Sequence, residues 1–195
     1  MCEHMREHSS RRYVGTNSTK LRKMMGFTLI EMLIYIGIMS VVVLVIGAFI
    51  PQLIMSNLYL QAKGQTLDNA RSALKTIEYE LKRSAAIYAP TSVFGTSPGQ
   101  LSLESAENAP AGENNTFIDF YVDNNRLYLK KEDNQAEIMT AEKIVISNLT
   151  FTDLTVGMGQ PAVRVAVTAY YDSSLQTIRE QSRVSLTATI SGRNY

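Results

Sequence analysis

The 195-residue chain is 45% hydrophobic and 19% charged with a formal charge of +1, totals that describe one modest domain plus an appendage. Its one cysteine, Cys2, and both histidines, His4 and His8, sit at the extreme start, so the rest of the chain has no thiol or imidazole for a disulfide, a typical zinc centre or a catalytic triad. Up to Gly26 six Lys/Arg face two Glu, a formal +4, whereas thirteen face sixteen acids from Phe27 onward, a formal −3. That slightly acidic remainder has no long Lys/Arg run and lacks the electrostatic footprint of a nucleic-acid binder, so no nucleic-acid partner is expected.

The first element follows the basic residues Lys20, Arg22 and Lys23. From Met32 to Ile50 there is no charged residue. Counted from Phe27, the run makes a helix of roughly 36 Å at about 1.5 Å per residue, enough for a bilayer core of about 30 Å. It is longer than the apolar region of a secretory signal, about 7 to 15 residues. The Lys/Arg excess before it predicts a single pass with the N-terminal end in the cytoplasm and the remainder outside.

Glu31 breaks this apolar pattern. A carboxylate at the centre of a membrane helix costs about 2.5 to 3.5 kcal/mol on insertion scales, and such residues are candidates for function. The run holds no Lys, Arg or His to pair with it. A cut between Gly26 and Phe27 would create a positive group, the new α-amino group of Phe27, and a neighbouring copy could offer the same amine.

"GFTLIE", preceded by "KLRK" and followed by about twenty mostly apolar residues, resembles the class III leader of type IV pilins and type II secretion pseudopilins. The resemblance implies that a membrane prepilin peptidase cuts after Gly26 on the cytoplasmic face and that Phe27 is then N-methylated. It also implies that Glu31, the fifth residue after the cut, pairs with a terminal amine during assembly. The implied partners are other pilin or pseudopilin subunits and an inner-membrane assembly platform driven by a cytoplasmic ATPase. A leader of 26 residues is longer than many in that family, which raises the alternative of a translation start at Met5. Pro51 closes the run, where its missing N–H and its ring should bend the helix; Gly37 and Gly47 add weaker points.

Beyond Pro51, Leu60, Leu67, Ala70, Leu74, Ile77 and Leu81 recur at helical spacing and predict an amphipathic helix to about Ile87, covering a sheet. Residues 88–116 carry Pro90, Pro98, Pro110, Gly95, Gly99 and Gly112 and read as a long connecting loop with a short strand at Leu101 to Leu103. The period then changes to two. "TFIDFYVDNNRLYLKK" predicts a hairpin turning at Asp123-Asn124-Asn125. "KIVISNLTFTDL" reads as a further strand. "PAVRVAVTAYY" sets Val163, Val165 and Val167 on one face, and "RVSLTATI" does the same with Val184, Leu186, Ala188 and Ile190.

The expected fold is α+β and pilin-like, a long bent helix packed on an antiparallel sheet head. Its expected divisions are a removed leader at 1–26, a transmembrane and assembly helix at 27–51, an amphipathic helix at 52–87, a connecting loop at 88–116 and the sheet head at 117–195. Strand order from Phe117 onward, through "FYVDNNRLYLKK", "LTFTDL", "PAVRVAV" and the closing "ISGRNY", is similar to the J-type minor pseudopilins and W-type minor pilins.

Other constellations are weaker. Gly157-Met158-Gly159 precedes Pro161 and a strand, which fits a turn and not a phosphate-binding helix start. Glu78 with Glu80, and Glu104 with Glu107, read as solvated surface carboxylates. Asp153 and Asp172 do not form a compact calcium loop, and Tyr170 and Tyr171 read as packing or rim residues. No metal, cofactor or catalytic residue is expected. The resemblance therefore implies a minor structural subunit of a pilus or secretion filament, against the alternatives of a major pilin, a competence minor pilin, or a single-pass anchored binding domain.

Overall fold

The computed structural model describes residues 26–107, 109–110, 112–132, 134–157 and 160–192. Cys2, His4, His8, Met5 and the basic leader lie outside the described residues, as do Met158 and Gly159 of the glycine-flanked turn. The chain divides into two units, Met1–Gly47 and Ala48–Tyr195. Helix α1 covers Leu29–Arg83, with Pro51 inside it. A proline at 51 has no N–H to donate to the carbonyl of residue 47, so the ladder lacks one bond where the first unit ends.

In the second unit the helix buries Ala62, Thr66, Ala70, Ala73, Ile77 and Leu81, at steps of three and four. This corrects the expected stripe. Leu60 is 59% exposed, and Leu67 and Leu74 are only half-buried. The face turned inward is built largely of small residues, which lets a helix approach its neighbours closely, because interaxial distance follows side-chain size at the contact. The one hydroxyl among them is satisfied, since Thr66 Oγ1 donates to the Ala62 carbonyl at 2.9 Å.

The helix also stops earlier than expected. Ser84 Oγ donates to the Leu81 carbonyl at 2.8 Å, Ala85 N donates to the Glu104 carbonyl at 2.8 Å, and the chain passes directly into β1 (Ala86–Ile87). Lys82 and Arg83 occupy the last turn, where cations complement the helix dipole. Within the expected connecting loop, the short strand expected at Leu101 to Leu103 is β2, which spans Leu101–Ser105, pairs with β1 on one side and β3 on the other, and buries Leu101 and Leu103 completely.

Strands β3 (Thr116–Asp123) and β4 (Arg126–Lys131) form the expected hairpin. Asn124 and Asn125 have φ of 47° and 62°, the paired left-handed conformation of a type I′ turn, which asparagine tolerates. With the short β5 (Glu137–Ile138), these make a five-stranded antiparallel sheet in the order β1-β2-β3-β4-β5. A second sheet holds β6 (Ile144–Asp153), β7 (Ala162–Tyr171) and β8 (Val184–Ser191), in that order. The register of β6 shifts between Ile146 and Asn148. That extra residue lets Ile144 and Ile146 before it, and Leu149 and Phe151 after it, all face the core.

Val163, Val165 and Val167 of β7 are buried as their alternation predicts. On β8 the same face is only half-buried at Val184, Leu186 and Ala188, and Ile190 is buried. Between β7 and β8 lies α2 (Gln176–Gln181), a short helix that the sequence pattern did not disclose; it buries Ile178. Gly192 follows β8 so closely against Pro161 that an added Cβ would lie 2.9 Å from Pro161 Cγ. Ile77, Leu81, Leu101, Phe120, Phe151 and Val165 belong to one apolar core joining helix and both sheets. The result is an α+β, pilin-like arrangement: a long N-terminal helix, apolar in its first half, whose later turns pack on antiparallel sheets.

Candidate assembly and processing segment

The start of α1 is organised by Thr28. Its carbonyl accepts the first helical bond, from Met32 N at 3.2 Å, and its side-chain oxygen accepts from Glu31 N at 3.3 Å. Thr28 is therefore the N-cap and Glu31 the third helical residue, the spacing of a capping box. A carboxylate in the first turn also faces the positive end of the helix dipole, where an anion is favoured by roughly 0.3 to 1 kcal/mol. Local backbone chemistry thus offsets part of the cost of the acid. Thr28 was missed in the sequence reading, although the pattern Thr-x-x-Glu immediately before an apolar run is its signal.

From Gly26 through Leu58 every residue is exposed except Glu31, which is half-buried. Phe27 is 69% exposed, and its ring meets Tyr35 edge-on with centroids 6.2 Å apart. The large apolar side chains from Leu29 to Ile50 are exposed. A helix apolar on all sides is suited to lipid or to burial among neighbours, not to water. Its length and composition suffice to cross a membrane. Gly26 and Phe27 sit just before the cap, Glu31 in the first turn and Pro51 twenty residues further along the same helix.

The carboxylates of the head have different surroundings. Glu80, expected on the surface, is buried, and Lys131 Nζ lies 2.8 Å from its Oε1. The lysine comes from β4, so no local pattern could reveal the pair. Glu107 pairs with Arg83, whose guanidinium lies 4.9 Å from the Tyr79 ring centre, and Glu104 accepts from Asn115. Glu78 is half-exposed and pairs with Lys82; the hydrogen bond and the charge of Lys82, with Lys75 adding a little, hold its carboxyl below the ordinary glutamate value. Asp153 accepts from Thr155 N at 2.8 Å, and Asp172 holds Arg179 at 2.9 Å. Tyr170 lies under Arg183 and Arg179, and Tyr171 under Lys143, as rim residues do.

Residues 22–47 match a family model described as the prokaryotic N-terminal methylation motif. The chain carries this methylation motif. The matched segment contains Gly26, Phe27, Thr28 and Glu31 and runs into the exposed apolar turns of α1, and it supports membership of the type IV pilin and pseudopilin family. With the one long apolar helix found among the described residues, it also supports a membrane-anchored protein. No curated protein and no solved structure matched the chain.

Proposed function

We propose that the protein is a minor structural subunit of a type IV pilus or type II secretion-like filament. The precursor is held in the cytoplasmic membrane with its N-terminus inside and its head outside. Prepilin peptidase cuts it between Gly26 and Phe27, and Phe27 is methylated. The inner-membrane platform, driven by its cytoplasmic ATPase, then moves the subunit into a filament among other pilins or pseudopilins. The observation that carries this reading is the methylation motif laid over a helix start whose one acid, Glu31, interrupts an uncovered apolar surface. In the filament, Glu31 meets the terminal amine of a neighbouring Phe27, and Pro51 supplies a bend. The minor role rests on the strand order of the head, which is similar to J-type pseudopilins and W-type pilins.

Intact mass and N-terminal sequencing of the protein from membrane and fibre fractions test the reading. A mature chain beginning at methylated Phe27 is expected in both, with low abundance in the fibre. Native protein that still contains Cys2 would overturn it. Glu31→Ala is expected to leave membrane insertion intact and abolish incorporation into the fibre, and Glu31→Gln separates loss of the charge from loss of the polar side chain.

A further inference from the structure

The edges of the two sheets are treated unequally. The five-stranded sheet ends on β1 and β5, each only two residues long. On β6, several groups facing away from β7 are taken up: Ile146 N donates to Asn125 O, Gly99 N to Leu149 O and Gly95 N to Phe151 O, and Leu149 N donates to Ser97 Oγ. The last edge, β8, is eight residues long and has no such cover.

Register identifies its free groups. Gly192 N donates to Pro161 O at 2.7 Å, and the ladder pairs Ile190 with Val163, Ala188 with Val165 and Leu186 with Val167. Bonded pairs alternate with non-bonded ones in an antiparallel ladder, so the amides and carbonyls of Ser185, Thr187, Thr189 and Ser191 point away from β7. Among the described residues, none of these main-chain groups has a hydrogen-bond partner. The edge also lacks the devices that normally block pairing: between Val184 and Ser191 there is no proline, lysine or other charge. The core face of β8 is unfinished as well, because Leu186 and Ala188 are half-buried where their β7 neighbours are fully covered. Cations flank it. Arg183 precedes the strand and Arg164 Nε reaches Thr189 Oγ1 at 3.5 Å; among the described residues neither is in an ion pair.

We propose that β8 is a docking edge that adds an extended strand from a different protein chain, one with apolar residues at alternate positions and carboxylates at its ends. Main-chain bonds to the four outward residues give the affinity, apolar alternates complete the cover over Leu186 and Ala188, and Arg164 and Arg183 select acidic flanks. The inference stands independently of how the N-terminal helix assembles.

Amide hydrogen exchange on the full chain in detergent micelles, with a synthetic octapeptide of alternating valine and threonine ended by glutamates, tests it. The peptide is expected to slow exchange at Thr187 and Thr189 by about tenfold or more, leaving the already bonded Leu186 and Ala188 unchanged. Thr187→Pro removes an outward donor without removing a ladder bond and should abolish the effect. Should that variant not fold, a peptide N-methylated along its pairing edge must fail with the native chain. Lysine-ended peptide should bind at least about twofold more weakly. Unchanged exchange at saturating peptide, or equal protection by the lysine-ended form, overturns the proposal. Protection that instead grows with protein concentration alone and accompanies a dimeric mass overturns it in favour of a second copy.

Discussion

One helix, α1, is built for two different solvents. From Leu29 to Gly47 its large aliphatic side chains stand exposed on every side, whereas from Ala62 to Leu81 only one narrow stripe is buried and it consists largely of alanine and threonine. The contrast shows that hydrophobicity alone does not identify the protein-facing part of a helix. The most apolar turns are exposed, and the turns that do pack carry mostly small side chains.

The largest effect should come from exchanging equivalent deletions across that divide. Leu81 is fully buried and Leu44 is 73% exposed. Leu81→Ala is expected to destabilise the head by about 2 to 5 kcal/mol, and Leu44→Ala to leave its thermal unfolding unchanged; melting of both variants in detergent measures the difference. A charge reverses the asymmetry. Val42→Arg should cost about 2.5 to 3.5 kcal/mol in membrane integration, seen as release by alkaline extraction, with the fold of the head intact.

Within the packed region, Lys131→Ala leaves the Glu80 carboxylate buried without its cation. A loss of about 1 to 3 kcal/mol is expected, and Glu80→Gln in the same background should recover part of it by denaturant melts. The smallest effect belongs to the solvent-accessible pair Glu78–Lys82. Because the Glu78 pKa is lowered in the folded state, its contribution is fully present above the ordinary value of 4.5 and is lost as pH falls from there through the lowered folded value. Lys82→Ala should flatten the dependence of stability on pH in that acidic window and do little near neutrality.

Much of this division was legible in the chain. The charge-free run and its acid, the Asn124-Asn125 turn and the alternating valines of β7 depend on local pattern, and local pattern is what a sequence displays directly. The small-residue stripe was obscured because alanine and threonine carry little hydropathy, while Leu60, which looked like core, faces outward. Glu80 looked solvated because its lysine arrives from a distant strand. Residues 95–99 looked like plain loop because their role, covering the edge of β6, exists only after long-range folding. In the candidate site, Gly26, Phe27 and Glu31 were recognisable by motif, yet the cap at Thr28 emerged only when the helix start was fixed by its hydrogen bonds.

The alanine-lined seam of α1 makes the fit between helix and head lopsided in its tolerance to change. A position such as Ala70, 1% exposed, has almost no slack: a longer side chain must push the rod outward or distort what lies beneath it. Leu60 can change freely. Engineers seeking to label, crosslink or solubilise the helix therefore have many permissive sites on its outer turns, whereas the smallest residues are the ones to leave untouched.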